Sequence, residues 1–237
     1  MPKYKIADVI FETEHIYDYV PKEIKDYLYN GNAPAELTIN LTQEDIDFEK
    51  NLAPDIEDKF LESIALYRKL CDYILLNKQG LIFHCSAIAV DGKAYLFTAP
   101  SGTGKSTHAK LWRDLLGDKA VMINDDKPII RYIDGEFYVY GTPWDGKHHL
   151  STNTRAKING ICRIAQAKDN KMVSLTAGEM LITVLTQTAL PKDEKQATEL
   201  FNLIDKLLGT VKLYHLDCNI SKDAAKLSYN TMTGENL

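Results

Sequence analysis

Ala99-Pro100-Ser101-Gly102-Thr103-Gly104-Lys105-Ser106-Thr107 follows the apolar run Lys93-Ala94-Tyr95-Leu96-Phe97-Thr98 and precedes a stretch patterned as a helix over 106–116. A glycine-rich loop between a strand and a helix lets several backbone N–H groups converge on phosphate oxygens. Gly102 and Gly104 permit the close wrapping this needs, and the following helix adds the positive end of its dipole. Residues Ser101, Gly102, Thr103, Gly104, Lys105, Ser106 and Thr107 are therefore expected to cradle a triphosphate. Lys105 would reach the β and γ phosphates, and the Ser106 hydroxyl would bind Mg²⁺. The expected ligand is ATP with Mg²⁺. Ala99 stands where the usual pattern has its first glycine, which would strain the loop if that position needed a positive φ.

On either side of this loop the pattern is rich in hairpins. The run from 81 to 90 is apolar and reads as one strand carrying His84. Asp91-Gly92 then signals a tight turn into the strand before the loop. Ala120-Val121-Met122-Ile123 is a short strand that ends at Asn124-Asp125-Asp126, and Asp134-Gly135 joins strands over 129–133 and 136–140. An acidic residue at such a strand end commonly holds Mg²⁺ opposite the loop hydroxyl, and a second carboxylate can take a proton from an attacking hydroxyl. Spacing alone does not say which aspartate does which. Beyond lie a strand over 160–166, helices over 177–188 and 195–208, a strand over 211–216, and a last helix opened by Ser221.

The N-terminal part differs. Residues 4–11 and 36–41 read as strands separated by the turn Gly31-Asn32-Ala33-Pro34, and a helix is expected over 56–78 from apolar residues three and four apart. The expected fold is α/β, a mixed hairpin-rich sheet with a small β-containing appendage. Residues 1–55 form the appendage and 56–237 the nucleotide-binding domain.

With 45% hydrophobic and 26% charged residues in 237, the composition is that of a globular chain, and the net charge of −5 argues against a nucleic-acid partner. No apolar run is long enough to span a bilayer, so no membrane role is expected. The N-terminus lacks the apolar core of a signal peptide, and the four cysteines show no metal or disulfide spacing; the expected location is cytoplasmic.

His84, the Asp91-Gly92 hairpin, the Ser-Gly-Thr-Gly-Lys-Ser-Thr loop and the Asn-Asp-Asp strand end occur here in the order found in a known group. The chain resembles the HPr kinase/phosphorylase and phosphoenolpyruvate carboxykinase superfamily, most clearly over 81–146, and within it the small stand-alone HPr kinase-like proteins. The resemblance implies a P-loop kinase core of that type, in which Asp125 is the general base, Asp126 and Ser106 hold Mg²⁺, and His84 lies near the transferred phosphate. The chain is too short for a carboxykinase. The implied activity is transfer of the γ-phosphate to a hydroxyl of a peptide, protein or small molecule, with serine the foremost candidate. A regulatory nucleotide-binding protein without transfer is the alternative, and self-association is left open.

Gly141-Thr142-Pro143-Trp144-Asp145-Gly146-Lys147-His148-His149 mixes turn formers, an aromatic ring and cations. Related small proteins show a similar Pro-Trp-x-Gly element. Trp144, Lys147 and Arg155 are the candidates for acceptor or phosphate contact, with Ser151, Asn153 and Lys157 beside them.

Overall fold

A computed structural model describes residues 1–237. Its larger sheet has nine strands: β4 (Gly80–Ile82), β5 (Ser86–Val90), β6 (Lys93–Thr98), β7 (Ala120–Asn124), β8 (Ile129–Ile133), β9 (Glu136–Tyr140), β10 (Arg155–Gln166), β11 (Lys171–Ser174) and β12 (Lys212–Cys218). The main path runs β4-β8-β9-β10-β6-β5-β7. Strand β10 is the branch point. It pairs in parallel with β6, while along its other edge it pairs first with β9, antiparallel, and then with β12, in parallel. β11 closes that branch antiparallel to β12. The fold is mixed α/β: two tight hairpins, β5-β6 and β8-β9, are joined to a parallel core of β6, β10 and β12.

Both faces of the central strands are covered, which explains their near-continuous apolar sequence. Along β6, Ala94 and Leu96 point into a core shared with helices α5 (Ala177–Thr186) and α6 (Glu194–Thr210). Tyr95 and Phe97 point the other way, into a core shared with α4 (Lys105–Leu116) and α7 (Lys222–Thr233). Successive residues of a strand face opposite sides, so six residues fix two helical layers at once. Trp112 of α4 is fully buried in the second core, against Tyr95, Phe97 and Tyr229.

The N-terminal part forms a separate three-stranded sheet of β1 (Lys3–Ile6), β2 (Val9–Glu14) and β3 (Leu37–Asn40). Helices α1 (Tyr19–Glu23), α2 (Gln43–Leu52) and α3 (Asp58–Lys78) accompany it. This sheet shares one hydrophobic cluster with α3 and with Ile129, Tyr140 and Trp144 of the larger part.

Several expectations need correction here. Residues 4–11 are not one strand: Ala7 and Asp8 both take positive φ, at 50° and 59°, and turn the chain back as a two-residue hairpin. The run 81–90 is broken between β4 and β5, because the amides of Phe83 and Cys85 bond to the carbonyls of Pro128 and Asp126 instead of extending the ladder. The capping box of Thr42 and Asp45 that opens α2 was not read from the sequence.

Candidate functional site

Loop 99–104 leaves β6 at the centre of the sheet and leads directly into α4. Gly102 and Gly104 take φ of 78° and 114°, and a Cβ on either would project into open space, the arrangement of a cradle kept clear of side chains. Gly104 is the N-cap of α4 and no side chain caps the helix. The N–H groups of its first turn are therefore free to take an anion. Ala99 does not adopt positive φ; it is fully buried in the core beneath α4, so alanine is tolerated where the pattern has glycine. The Lys105 side chain folds back over the loop, its Nζ donating to the Ala99 carbonyl at 2.9 Å. Burial lowers the Lys105 pKa, while Cys85, Asp126 and Asp125 act in the opposite sense through their charge. Gln166, the last residue of β10, donates to the Thr103 carbonyl at 3.1 Å and steadies the loop from the side.

The two aspartates are aimed by Asn124. Its Oδ1 accepts from the backbone N–H groups of Asp126 and Lys127, both at 2.8 Å, and its Nδ2 donates to the Thr142 carbonyl and hydroxyl. The side chain thus makes a tight turn at the end of β7 and ties that turn to the segment after β9. Asp125 is buried, and Ser86 Oγ donates to its Oδ1 at 2.5 Å. Asp126 is half-buried. His84 Nε2 lies 3.1 Å from its Oδ1, and Lys127 binds the other oxygen. Burial alone would raise the Asp126 pKa, but hydrogen bonds and charge from His84 and Lys127 outweigh it and hold the value at about 2.

His84 sits in the break between β4 and β5 rather than in a strand. Its backbone N–H donates to the Gln187 carbonyl and its carbonyl accepts from the Thr98 hydroxyl, which fixes the backbone from which the ring reaches Asp126.

The segment after β9 folds over Asp125. Gly146 lies so close that a Cβ there would stand 3.1 Å from the Asp125 carbonyl oxygen and 3.4 Å from its Oδ2. Asp145 turns inward, accepting from the Ser151 N–H and pairing with His149. Trp144 is buried: it packs on Tyr67 with ring centroids 4.5 Å apart, and its N–H donates to Ser63 Oγ. It anchors the segment and is only slightly exposed. Arg155 lies elsewhere. It opens β10, at the opposite end of that strand from Gln166, and pairs with Asp8 and the Tyr140 hydroxyl. Lys147 is exposed on the segment. The sequence reading gave no role to Ser86, Asn124 or Gln166. Only Asn124 carried a local signal, as a turn former directly before two aspartates.

Two cavities flank the loop. One of about 460 Å³ is lined by Gly102, Thr103, Gly104 and His108 together with the ends of β10 and β12. The other, about 470 Å³, is lined by Ser106, Asp125 and His148 among others. His108, on the first turn of α4, is almost fully buried, and burial pushes its pKa down to about 4.

No protein-family model and no curated protein sequence matches the chain. Among solved structures it is similar to the HPr(Ser) kinase/phosphatase from Coxiella burnetii, with a TM-score of 0.38 and 9% sequence identity over 65% of this chain and 88% of that one. A likeness this slight assigns no residue a role. No helix is long and apolar enough to cross a membrane.

Proposed function

We propose that this chain is an HPr kinase-like phosphotransferase that binds ATP with Mg²⁺ and moves the γ-phosphate to a hydroxyl. The observation that carries the reading is one shared cavity: Ser106 of the phosphate loop and the buried carboxylate Asp125 line the same space. A phosphate cradle alone serves switches and motors equally well. A buried carboxylate opening onto the same cavity gives the acceptor a base.

In this reading the triphosphate lies along loop 101–107, under the first-turn N–H groups of α4. The nucleoside occupies the cavity beside Gly102, Thr103 and His108, and the acceptor enters from the side of Asp125. Asp125 takes the proton of the acceptor hydroxyl as its oxygen bonds to the γ-phosphorus. The bond from phosphorus to the bridging oxygen breaks, and ADP leaves with that electron pair. Lys105 swings from the Ala99 carbonyl to the phosphate oxygens and, with the loop amides, balances the charge that moves toward the bridging oxygen. Ser106 and Asp126 would hold Mg²⁺, which when bound neutralises the β and γ oxygens. Mg²⁺ keeps several waters and needs only one or two protein ligands beside phosphate, so these two residues suffice. Asp126 suits that role because it stays ionised far below neutral pH and already holds a lysine, Lys127, on one of its oxygens. Asp125 is held instead by the Ser86 hydroxyl.

The test is incubation with γ-labelled ATP, Mg²⁺ and a panel of peptide, protein and small-molecule hydroxyl acceptors. Label on an acceptor is the expected result. Release of free phosphate regardless of acceptor would make the chain a hydrolase, and tight nucleotide binding with neither product would make it a regulatory binder.

A further inference from the structure

The cavity that holds Asp125 and Ser106 extends along α4. Residues Ser106, Lys110 and Arg113 line it, spaced four and three apart, so they form one stripe on one face of the helix. His148 of the segment after β9 also lines it, and Met122 of β7 contributes apolar surface. The charge on this lining is uneven. Asp125 is the one carboxylate that lines the cavity. The rest of the wall carries a lysine, an arginine and a histidine. Lys110 shares its charge with Asp114, one helical turn on. Arg113 forms no ion pair. A basic residue in the last turn of α4 suits the helix dipole, but the dipole does not require it to line a cavity shared with a buried carboxylate.

From this arrangement we infer that the acceptor is an anionic hydroxyl compound. Its hydroxyl lies at Asp125 and a carboxylate or phosphate group lies toward Arg113, with Lys110 and His148 at the rim. Arg113 lies seven positions after Ser106, roughly 10 Å along the axis of α4, which sets the scale of the acceptor. Arginine binds carboxylate or phosphate through two parallel N–H groups, so it fixes the acceptor's direction as well as attracting it. The inference names the substrate class of the site described above and rests on the kinase reading.

The chemistry is common to a peptide with a terminal or side-chain carboxylate and to a small phosphorylated alcohol, so two matched pairs of probes are needed. One pair is the tripeptide Gly-Ser-Gly with a free carboxylate and the same tripeptide as its amide. The other is glycerol 3-phosphate and glycerol. Binding of each to the full chain, loaded with Mg²⁺ and a non-hydrolysable ATP analogue, is measured by calorimetry up to millimolar concentration, and transfer is measured separately with labelled ATP. The charged member of at least one pair is expected to bind about tenfold tighter than its neutral partner, the effect of one charge-assisted contact at a partly exposed site. The pair that shows the preference identifies the source. In Arg113→Gln the preference falls to about twofold or less, and Arg113→Lys retains part of it. Affinity for the ATP analogue, followed in parallel, reports that each variant is folded.

Equal binding of both members, binding of neither, or a preference that survives Arg113→Gln overturns the inference. Charge-selective binding without label transfer overturns the kinase reading and leaves the anion site standing. Transfer to charged and neutral probes alike does the reverse.

Discussion

The two segments that frame the candidate site are held in place by different means. Loop 99–104 is shaped largely by its own residues: positive φ at two glycines, a turn from the Thr103 N–H to the Pro100 carbonyl, and Lys105 folded onto Ala99. Segment 141–151 is shaped by the rest of the molecule. Thr142 is tied to Asn124 and Lys127, Trp144 to Ser63 and Tyr67, and Thr152 just beyond it to Met122 and Ile123. A binding loop that carries its own geometry can be altered without unfolding its surroundings. One that borrows its geometry cannot.

The sharpest way to break that contrast is a pair of substitutions. Trp144→Ala removes a buried indole from the cluster joining α3 to the N-terminal sheet and is expected to cost about 3–5 kcal/mol of stability. Affinity for nucleotide in the protein that remains folded should barely change. Lys105→Ala should do the opposite. It weakens nucleotide binding about 10- to 100-fold through loss of a charged contact to phosphate, with little effect on the melting temperature. Chemical denaturation and nucleotide titration of both variants check this. Similar stability losses in the two would contradict it.

The same contrast explains what could be read from sequence. The glycine-rich loop between β6 and α4, the hairpins at Asp91-Gly92 and Asp134-Gly135 and the final helix capped by Ser221 all lie where they were expected, because each is set by residues adjacent in the chain. The Ala7-Asp8 turn was missed because neither residue announces positive φ as glycine does. The break at Phe83 was missed because its cause is a backbone pairing with residues some forty positions later. Trp144 and Arg155 were legible as notable residues, but what they touch, Ser63 and Asp8, is distant in sequence. Lines of hydrophobic pattern report which face is buried, not against what.

A second, somewhat smaller effect concerns the floor of the phosphate loop. Ser228 Oγ donates to the Ala225 carbonyl and accepts from Trp112 Nε1, so its contact with His108 Nε2 is met by a proton on that nitrogen. His108 is therefore neutral and Nε2-protonated in the folded chain. Its folded pKa is about 4, below the ordinary histidine value, so between that pH and about 6.5 the unfolded chain binds a proton that the folded chain does not. Stability rises with pH through this window, and acidification across it costs up to about 3 kcal/mol. Melting curves at several pH values should show this slope in the native chain and a flatter one in His108→Gln. Identical slopes would remove His108 as the cause.

Asp126 sharpens the comparison from the other side, because its partners His84 and Lys127 come from backbone turns near the loop. Its folded pKa is depressed to about 2, so it contributes stability above the unfolded carboxylate pKa near 4, and this is lost as pH falls toward 2. With His84 and Lys127 both partly exposed to solvent, the contribution is about 1–2 kcal/mol. Asp126→Asn should lose that increment at neutral pH and raise the Mg²⁺ concentration needed for activity. Unchanged Mg²⁺ dependence would remove Asp126 from the metal site.

The central claim is that Asp125 turns a nucleotide-binding loop into a phosphotransfer site. Asp125→Asn keeps the shape and the capacity to bond with Ser86 but cannot take a proton. With γ-labelled ATP, Mg²⁺ and an acceptor of the native chain, the variant should bind nucleotide as the native chain does and transfer label at least about a hundredfold more slowly. Transfer at the native rate would contradict the account.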